Sequence, residues 1–284
     1  MKGIIHFINT GQHYFKFFLS HLKNKDFVFE INIVDHCNLN CVGCDHFSPL
    51  IKDSYYCRND LKNDLENLRQ IQGLFPKRIR ILGGEPLLHP EINEIMTDVY
   101  NVFPKARIEI VTNGLLINKM PEQFWEICKE CHIDIEITRY PIKIDYLEMK
   151  KYISQKGVRY LEMNANECIG SKGKTMQKFA LDLAGKQNIW QSFLFCYKPG
   201  SCTLLSHGRL YMCSVCANIK YFNYKFHQEL VVSGKDYLEI DKIKNADEIR
   251  AFLKRPIPFC RYCRTHHKEY LAWRKSNGEM SEWV

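Results

Sequence analysis

The stretch FVFEINIVDHCNLNCVGC, residues 27–44, joins a β-rich run to three closely spaced cysteines. The run begins with mostly Phe, Ile and Val, which is typical of a buried parallel strand. Cys37, Cys41 and Cys44 then follow with the spacing C-x3-C-x2-C. Three thiolates are one ligand short of a closed four-thiolate site, and an iron–sulfur cluster held by only three keeps one iron open. The spacing therefore predicts a metal centre that a small molecule completes.

Four more β-rich runs follow this stretch and alternate with helical patterns. They are RIRILGG at 78–84, RIEIVTNG at 107–114, IDIEITRY at 133–140 and VRYLEMN at 158–164. Between them, apolar residues recur at three-and-four spacing, which predicts helices. Their predicted buried faces contain Leu61, Leu65 and Leu68, then Ile92, Ile95, Met96 and Val99, then Phe124, Ile127 and the core thiols Cys128 and Cys131. This alternation predicts a wound α/β sheet with its ligand site at the carboxyl ends of the strands.

The composition limits the classes of protein and partner. The chain has 284 residues, 45% of them hydrophobic, which is enough for a full globular core. Its net charge of +8 is spread along the chain, which favours an anionic small molecule over nucleic acid. We find no secretory signal and no apolar run of about 18 residues, so we expect a cytoplasmic protein without a membrane partner. The thirteen cysteines are then metal ligands and buried thiols rather than disulfides.

Three motifs in order resemble those of the radical S-adenosylmethionine (SAM) enzymes. The first is the C-x3-C-x2-C motif after a strand, and the others are GGEP at 83–86 and VTNG at 111–114, which end the second and third strands. The resemblance covers about residues 27–164. It implies a partial (β/α)6 barrel of the TIM type. It also implies a [4Fe–4S] cluster whose open iron binds SAM, with cleavage of SAM to a 5′-deoxyadenosyl radical and an external electron donor such as flavodoxin or ferredoxin.

The resemblance also implies which residues bind SAM. They are Gly83, Gly84 and Glu85 for the methionine moiety and Thr112 and Asn113 for the ribose.

Other residues near these motifs have alternative interpretations. Arg139 follows the fourth strand and is a candidate partner for the SAM carboxylate, with a structural ion pair as the alternative. The family usually has an aromatic residue before the third cysteine, where this chain has Gly43, so Phe47 or His46 would have to cover the adenine. His36, Asp45 and His46 are either donors that tune the cluster or ordinary loop and capping groups.

Six cysteines near the C-terminus allow two alternative metal sites. Cys213, Cys216, Cys260 and Cys263 would form a zinc ribbon. Cys196, Cys213, Cys260 and Cys263 would bind an auxiliary [4Fe–4S] cluster. The second set contains a C-x11-G-x4-C pattern around Gly208, which resembles the twitch subdomain, the one-cluster form of the SPASM extension. We favour the auxiliary cluster, with Cys202 and Cys216 as spare thiols. Cys57 and Cys168 have no assigned role.

These interpretations predict three parts of the chain. They are an N-terminal extension over 1–26, a radical SAM core over 27–165 and a small cysteine-rich auxiliary-cluster domain over 166–284.

The predicted reaction follows from the second cluster. A fully ligated cluster suits electron acceptance from a substrate radical, so we expect oxidation, that is dehydrogenation, of a small carbohydrate-like substrate. Similar twitch-containing dehydrogenases act in aminocyclitol biosynthesis. The alternatives are a sugar epimerase, a peptide maturase or a non-enzymatic metal-binding module. The basic stretch RYCRTHHK, residues 261–268, would bind a phosphate or a nucleotide-linked sugar, or else neutralise the thiolates.

Overall fold

The strands form one large sheet and one small one. The structure, a computed structural model, describes residues 27–163, 175–201, 203–267 and 269–284, so the predicted N-terminal extension, Cys168 and Cys202 lie outside the described residues. The strands are β1 Phe27–Val34, β2 Pro76–Gly83, β3 Arg107–Thr112, β4 Asp134–Thr138, β5 Tyr160–Met163, β6 Thr175–Lys178, β7 Thr203–Ser206, β8 Arg209–Tyr211, β9 Tyr237–Glu239 and β10 Glu269–Ala272. The α-helices are α1 Arg58–Gln70, α2 Ile92–Val102, α3 Glu122–Glu130, α4 Tyr146–Gln155, α5 Ile189–Leu194, α6 Ser214–Phe226 and α7 Ala246–Leu253.

The large sheet confirms the predicted partial barrel. Its eight strands lie in the order β5-β4-β3-β2-β1-β7-β8-β9. Strands β1 to β5 are parallel neighbours, and β7 is parallel to β1 on its other side. Strands β8 and β9 extend the sheet in antiparallel fashion, while β6 and β10 form a separate two-stranded antiparallel sheet. The sixth parallel strand therefore comes from the cysteine-rich part of the chain, and the sheet continues across the predicted boundary at residue 165.

The outer face of the sheet is apolar and packs against helices. In β1, Phe29, Ile31 and Ile33 are buried on this face, and the residues level with Phe29 and Ile31 in β2 and β3 are isoleucines. The predicted apolar faces of α1, α2 and α3 are confirmed as buried, except that Ile127 is only partly buried. Cys128 and Cys131 are core thiols, as predicted. The helices thus cover the outer face of the sheet, and the inner face borders the candidate site.

The inner face contains a ladder of paired charges that the sequence analysis did not predict. Arg80 donates to Glu30 and, at 2.7 Å, to Glu136. Arg78 donates to Glu109 at 2.7 Å and to Glu136 at 2.6 Å. Buried charges are tolerated when they are paired in this way. Among the described residues, the ladder includes four arginines and four carboxylates, namely Arg78, Arg80, Arg107, Arg159, Glu30, Glu109, Asp134 and Glu136.

Candidate functional site

A cavity of about 260 Å³ lies at the carboxyl ends of strands β1 to β4. The three cysteines of the C-x3-C-x2-C motif line it, together with the strand-end residues Gly83, Gly84, Thr112, Asn113, Thr138 and Tyr140. The inner-face pair Glu30 and Arg80 also lines the cavity. Gln177, Phe179, Tyr197 and Lys198 contribute from the cysteine-rich part of the chain. The structure therefore brings the predicted motifs together around one space.

The three motif cysteines fit a cationic metal centre. Burial, together with repulsion from Asp45 and Cys37, raises the pKa of Cys44 to about 12. Burial and the neighbouring thiols Cys44 and Cys37 also raise the pKa of Cys41 well above its ordinary value. Bare thiolates are therefore disfavoured here unless positive charge compensates them, and iron supplies that charge. Three N–H groups already point at the sulfurs: Leu39 N lies 3.4 Å and Asn113 Nδ2 3.7 Å from Cys37 Sγ, and Trp273 Nε1 lies 3.3 Å from Cys41 Sγ.

Gly83 and Gly84 are required by the backbone of β1. Gly84 N donates to Val34 O at 2.6 Å, and Glu85 N donates to His36 O at 3.1 Å. A Cβ atom on Gly83 would lie 2.1 Å from Val34 O, and one on Gly84 would lie 2.0 Å from His36 O. Both glycines line the cavity, but the close approach that needs them is to protein backbone.

Glu85 faces the third strand and does not line the cavity. Its carboxylate accepts hydrogen bonds from Thr112 Oγ1 at 2.6 Å, Asn113 N at 3.0 Å and Leu87 N at 3.2 Å. The side chain is fully buried, and this burial raises the pKa of Glu85 to about 7. Asn113 in turn donates to Asn38 Oδ1 at 2.8 Å. Glu85 thus holds Thr112 and Asn113 beside the cysteine loop, and its direct contact with SAM stays a prediction.

Arg139 also lies outside the cavity lining. It pairs with Glu162 at 2.8 Å, and its guanidinium carbon lies 4.8 Å from the centre of the Tyr146 ring. Its neighbours Thr138 and Tyr140 line the cavity. Side chains alternate along an extended chain, so Arg139 is turned to the other side. The structure agrees with the structural ion pair considered as the alternative in the sequence analysis.

His46, Phe47 and Ser48 occupy different environments after the third cysteine. Phe47 is buried against Phe222 and Trp283, with ring centroids 5.7 Å and 5.9 Å away, so it does not line the cavity. His46 and Ser48 do line it. Within the described residues, His46 Nδ1 and Ser48 Oγ are buried and have no hydrogen-bond partner. His46 remains the candidate cover for adenine, and Ser48 is a cavity residue that sequence reasoning missed because its spacing follows no motif.

Asp45 belongs to a buried polar cluster. Lys198 Nζ contacts the Asp45 carboxylate and donates to Ser214 Oγ at 3.0 Å, while Ser214 Oγ donates to Asp45 at 2.8 Å. Burial alone would raise the pKa of Asp45, but the charge of Lys198 holds it well below its usual range. The carboxylate is therefore ionised and paired. Asp45 is thus held by Lys198 and Ser214 next to Cys44, and its role in tuning a cluster stays a prediction.

His36 contacts the neighbouring loop and does not line the cavity. Its Nδ1 accepts from Ser54 N at 3.1 Å, and its ring meets Tyr55 edge-on at 4.9 Å.

The four cysteines of the predicted auxiliary set lie close enough to influence one another. Burial raises the pKa of Cys196 to about 12, with repulsion from Cys213 as the next cause. Burial also raises the pKa of Cys263, with repulsion from Cys213, Cys260 and Cys196. Cys216 is almost fully buried in α6. The four residues fit a shared iron–sulfur centre by the same charge argument as the first set.

A single metal ion would need the four thiol sulfurs to lie closer together than an iron–sulfur cluster does. Zinc holds four thiolates at about 2.3 Å from one point. Among the described residues, no group of three or more Cys, His, Asp or Glu side chains is arranged to hold one metal ion. Cys216 nevertheless lies within electrostatic reach of Cys213, Cys260 and Cys263, so the zinc ribbon stays the alternative prediction.

Two arginines of the basic stretch are bound to backbone carbonyls. Arg261 Nε donates to Pro258 O at 3.2 Å, and Arg264 Nη2 donates to Leu181 O at 2.8 Å. Lys268 lies outside the described residues.

The comparisons with known proteins agree with this geometry. Residues 31–161 match the family model of the Radical SAM superfamily. This segment is therefore similar to the radical SAM superfamily. In the described part of the chain, no helix has the length and apolar character needed to cross a membrane.

Curated relatives of the radical SAM segment are named as cyclases. The GTP 3',8-cyclase of Microcystis aeruginosa (strain NIES-843 / IAM M-2473) is 33% identical over 101 residues, which are 34% of this chain and 30% of that protein. The probable GTP 3',8-cyclase of Methanothermobacter marburgensis is 26% identical over 178 residues, which are 60% of this chain and 54% of that protein. The chain thus spans between about a third and about half of the length of these relatives.

Two solved structures share the fold over a longer range. BtrN in complex with AdoMet and 2-DOIA has a TM-score of 0.50 and 17% identity, covering 85% of this chain and 94% of BtrN. Native anSMEcpe with bound AdoMet has a TM-score of 0.50 and 13% identity, covering 84% of this chain and 89% of that one. At these identities the likeness concerns the fold alone, and it extends beyond the radical SAM segment.

Proposed function

We propose that the protein is an enzyme that cleaves SAM reductively and uses the resulting radical to remove hydrogen from a small substrate. The observation that supports this most is a cavity that both Cys37, Cys41 and Cys44 and the ends of strands β2 to β4 border. The three thiols are held near one another, and N–H donors point at two of the sulfurs. A binding module would have no need for a three-thiolate centre that leaves an iron open beside a cavity.

The residues of the chain have separate tasks in this proposal. When bound, the three-thiolate [4Fe–4S] cluster and SAM supply a 5′-deoxyadenosyl radical. Cys37, Cys41 and Cys44 hold the cluster, while Glu85 fixes Thr112 and Asn113 at the cavity wall through its three accepted hydrogen bonds. Residues of the barrel and of the cysteine-rich part line the same cavity, which restricts the molecules that can reach a radical formed there.

The proposed reaction is an oxidation, with a second cluster as the electron acceptor. Removing a hydrogen atom from a carbinol carbon, then one electron and the hydroxyl proton, converts the alcohol to a carbonyl compound, with the proton released to water. Cys196, Cys213, Cys260 and Cys263 are the residues that would hold the acceptor, as in the twitch subdomain that their spacing resembles. Their mutual electrostatic influence and the nearby cavity residues Tyr197 and Lys198 support this assignment.

The proposed substrate is a carbohydrate-like small molecule. Gln177, Phe179 and Tyr197 line the cavity but come after residues 31–161 in the sequence. The family match therefore does not include this part of the cavity wall. The curated relatives named as GTP 3',8-cyclases make a nucleotide the competing candidate. Epimerisation and peptide modification are further outcomes that substrate trials would distinguish.

Anaerobic reconstitution with iron and sulfide tests the proposal. We expect about eight irons per chain, as two cubane clusters require, and formation of 5′-deoxyadenosine on reduction with dithionite. Replacing Cys37, Cys41 and Cys44 together by alanine should remove about four irons and all 5′-deoxyadenosine, while Cys128→Ala, a core thiol, serves as the control. SAM cleavage that persists in the triple variant would exclude the proposal. Four irons with one bound zinc in the wild type would exclude the auxiliary cluster.

A further inference from the structure

Lys198 lies between the two sets of cysteines. It is 4% exposed, two residues after Cys196, and it lines the cavity. Its ammonium group contacts Asp45, the residue after Cys44, and donates to Ser214, the residue after Cys213. One partly buried ion pair thus joins the loop of the first cysteine set to the chain around the second.

The charge of Lys198 acts on the second set of thiols. It lowers the pKa of Cys196, Cys213 and Cys263, in each case against a larger rise from burial. Asp45 acts in the opposite direction on Cys196 and Cys213. Both charges therefore lie within electrostatic reach of the auxiliary set, and burial reduces the screening that water would provide.

We propose that the buried ammonium group of Lys198 raises the reduction potential of the auxiliary cluster, and that the Asp45 carboxylate limits this rise. The inference rests on the proposed function, because it requires a cluster on Cys196, Cys213, Cys260 and Cys263. One-electron reduction adds a negative charge to the cluster without breaking a bond, and a fixed positive charge nearby stabilises the reduced form. The electron comes from the substrate radical, so Lys198 makes the cluster a better acceptor. Lys198 itself gains or loses no proton.

The aromatic surroundings keep this charge in place. Lys198 Nζ lies 4.6 Å from the centre of the Phe179 ring and 5.5 Å from that of Tyr197, both distances suited to cation–π attraction. The ammonium group is thus fixed by Asp45, Ser214 and two rings before any substrate binds.

A redox titration followed by electron paramagnetic resonance tests the proposal on the reconstituted enzyme without substrate. We expect Lys198→Met to make reduction of the auxiliary cluster about tenfold less favourable, a potential lower by about 59 mV for one electron. Asp45→Asn should shift the potential upward, and Lys198→Arg should keep it near the wild-type value. Lys156→Met, which removes a lysine paired with Glu122 on the surface, is the matched control and should change nothing.

The opposite signs separate electrostatic tuning from loss of structure. A purely structural role would lower the iron content of both variants without shifting the potentials in opposite directions. An unchanged potential in Lys198→Met with eight irons per chain would overturn the inference while leaving the proposed function intact. A wild-type protein with only four irons would instead overturn the auxiliary cluster of the proposed function.

Discussion

The indole Nε1 of Trp273 lies 3.3 Å from the sulfur of Cys41, although 232 residues separate the two in the chain. The segment around Trp273 follows the cysteine loop closely. Val42 N donates to Arg274 O at 3.0 Å, and Ser276 N donates to Asn40 O at 2.8 Å. Trp283 Nε1 donates to Cys44 O at 2.8 Å. The segment that contains Trp273 and Trp283 therefore stabilises the loop that would hold the SAM-cleaving cluster.

Trp273→Phe is expected to weaken retention of that cluster. The substitution keeps an aromatic ring and removes one N–H donor to sulfur, an interaction of about 1 kcal/mol. We expect faster loss of iron to a chelator, by roughly fivefold, measured by the rise of the chelate absorbance. Trp190→Phe, at an exposed tryptophan, is the control. Equal rates of iron loss in the wild type and Trp273→Phe would mean that the indole contributes packing but no hydrogen bond that retains the cluster.

Glu85 is expected to make stability depend on pH between about 4.5 and 7. Its pKa in the folded chain is raised from 4.5 to about 7 by burial, so the folded state binds the proton more tightly than the unfolded state. Ionisation of Glu85 therefore lowers the free energy of unfolding. This loss grows as the pH rises through that window and reaches its full size above it. The difference corresponds to about 3 kcal/mol, as an upper limit.

The variant Glu85→Gln tests this pH dependence. The glutamine side chain cannot ionise, so the thermal midpoint of the variant should rise relative to that of the wild type as the pH increases from 5 to 8. A difference that is constant over this range would contradict the raised pKa. Glu148→Gln, at an exposed glutamate in the first turn of α4, controls for general charge effects.

Arg139→Ala is expected to leave SAM binding nearly unchanged. Its ion pair with Glu162 is largely exposed and worth less than about 1 kcal/mol. The KM for SAM in the 5′-deoxyadenosine assay should stay within about twofold of the wild-type value. A rise of tenfold or more would restore the SAM-carboxylate role considered from the sequence. Glu162→Ala removes the same ion pair and is the control for its structural effect.

Turnover in deuterium oxide distinguishes oxidation from epimerisation. Oxidation removes two hydrogens, so the product should be about two mass units lighter and free of deuterium at the abstracted carbon. Epimerisation returns a hydrogen from an exchangeable donor such as a thiol, and it would give a product with one deuterium and an unchanged skeleton. Mass spectrometry of the product separates the two. Loss of the deuterium in Cys202→Ala or Cys216→Ala would identify the donor and exclude the oxidation.

The sequence allowed the strands and the motif cysteines to be located because their signals are local. β1 was predicted over the same residues as observed, and each other strand of the core to within two residues at either end. Side-chain direction was harder to predict. Thr138 and Tyr140 line the cavity while Arg139 does not, and that distinction depends on which face of the sheet meets the site.

Contacts between distant parts of the chain could not be predicted. Lys198 and Asp45 are 153 residues apart, and neither belongs to a repeating pattern. A single sequence offers no signal for such a pair. The charge ladder did have a local signal, because Arg78 and Arg80 alternate with Ile79 and Ile81, but this alternation was read only as a buried strand.

The charge ladder restricts how the floor of the cavity can be altered by design. Removing Arg80 alone would leave Glu30 and Glu136 as buried carboxylates without that counter-ion, at a cost of about 3–5 kcal/mol. Replacing all three by apolar side chains of matched volume would avoid that cost. A library that varies these positions one at a time would therefore yield mostly misfolded protein, whereas one that exchanges the connected charges as a block would keep folded members from which new substrate preferences can be selected.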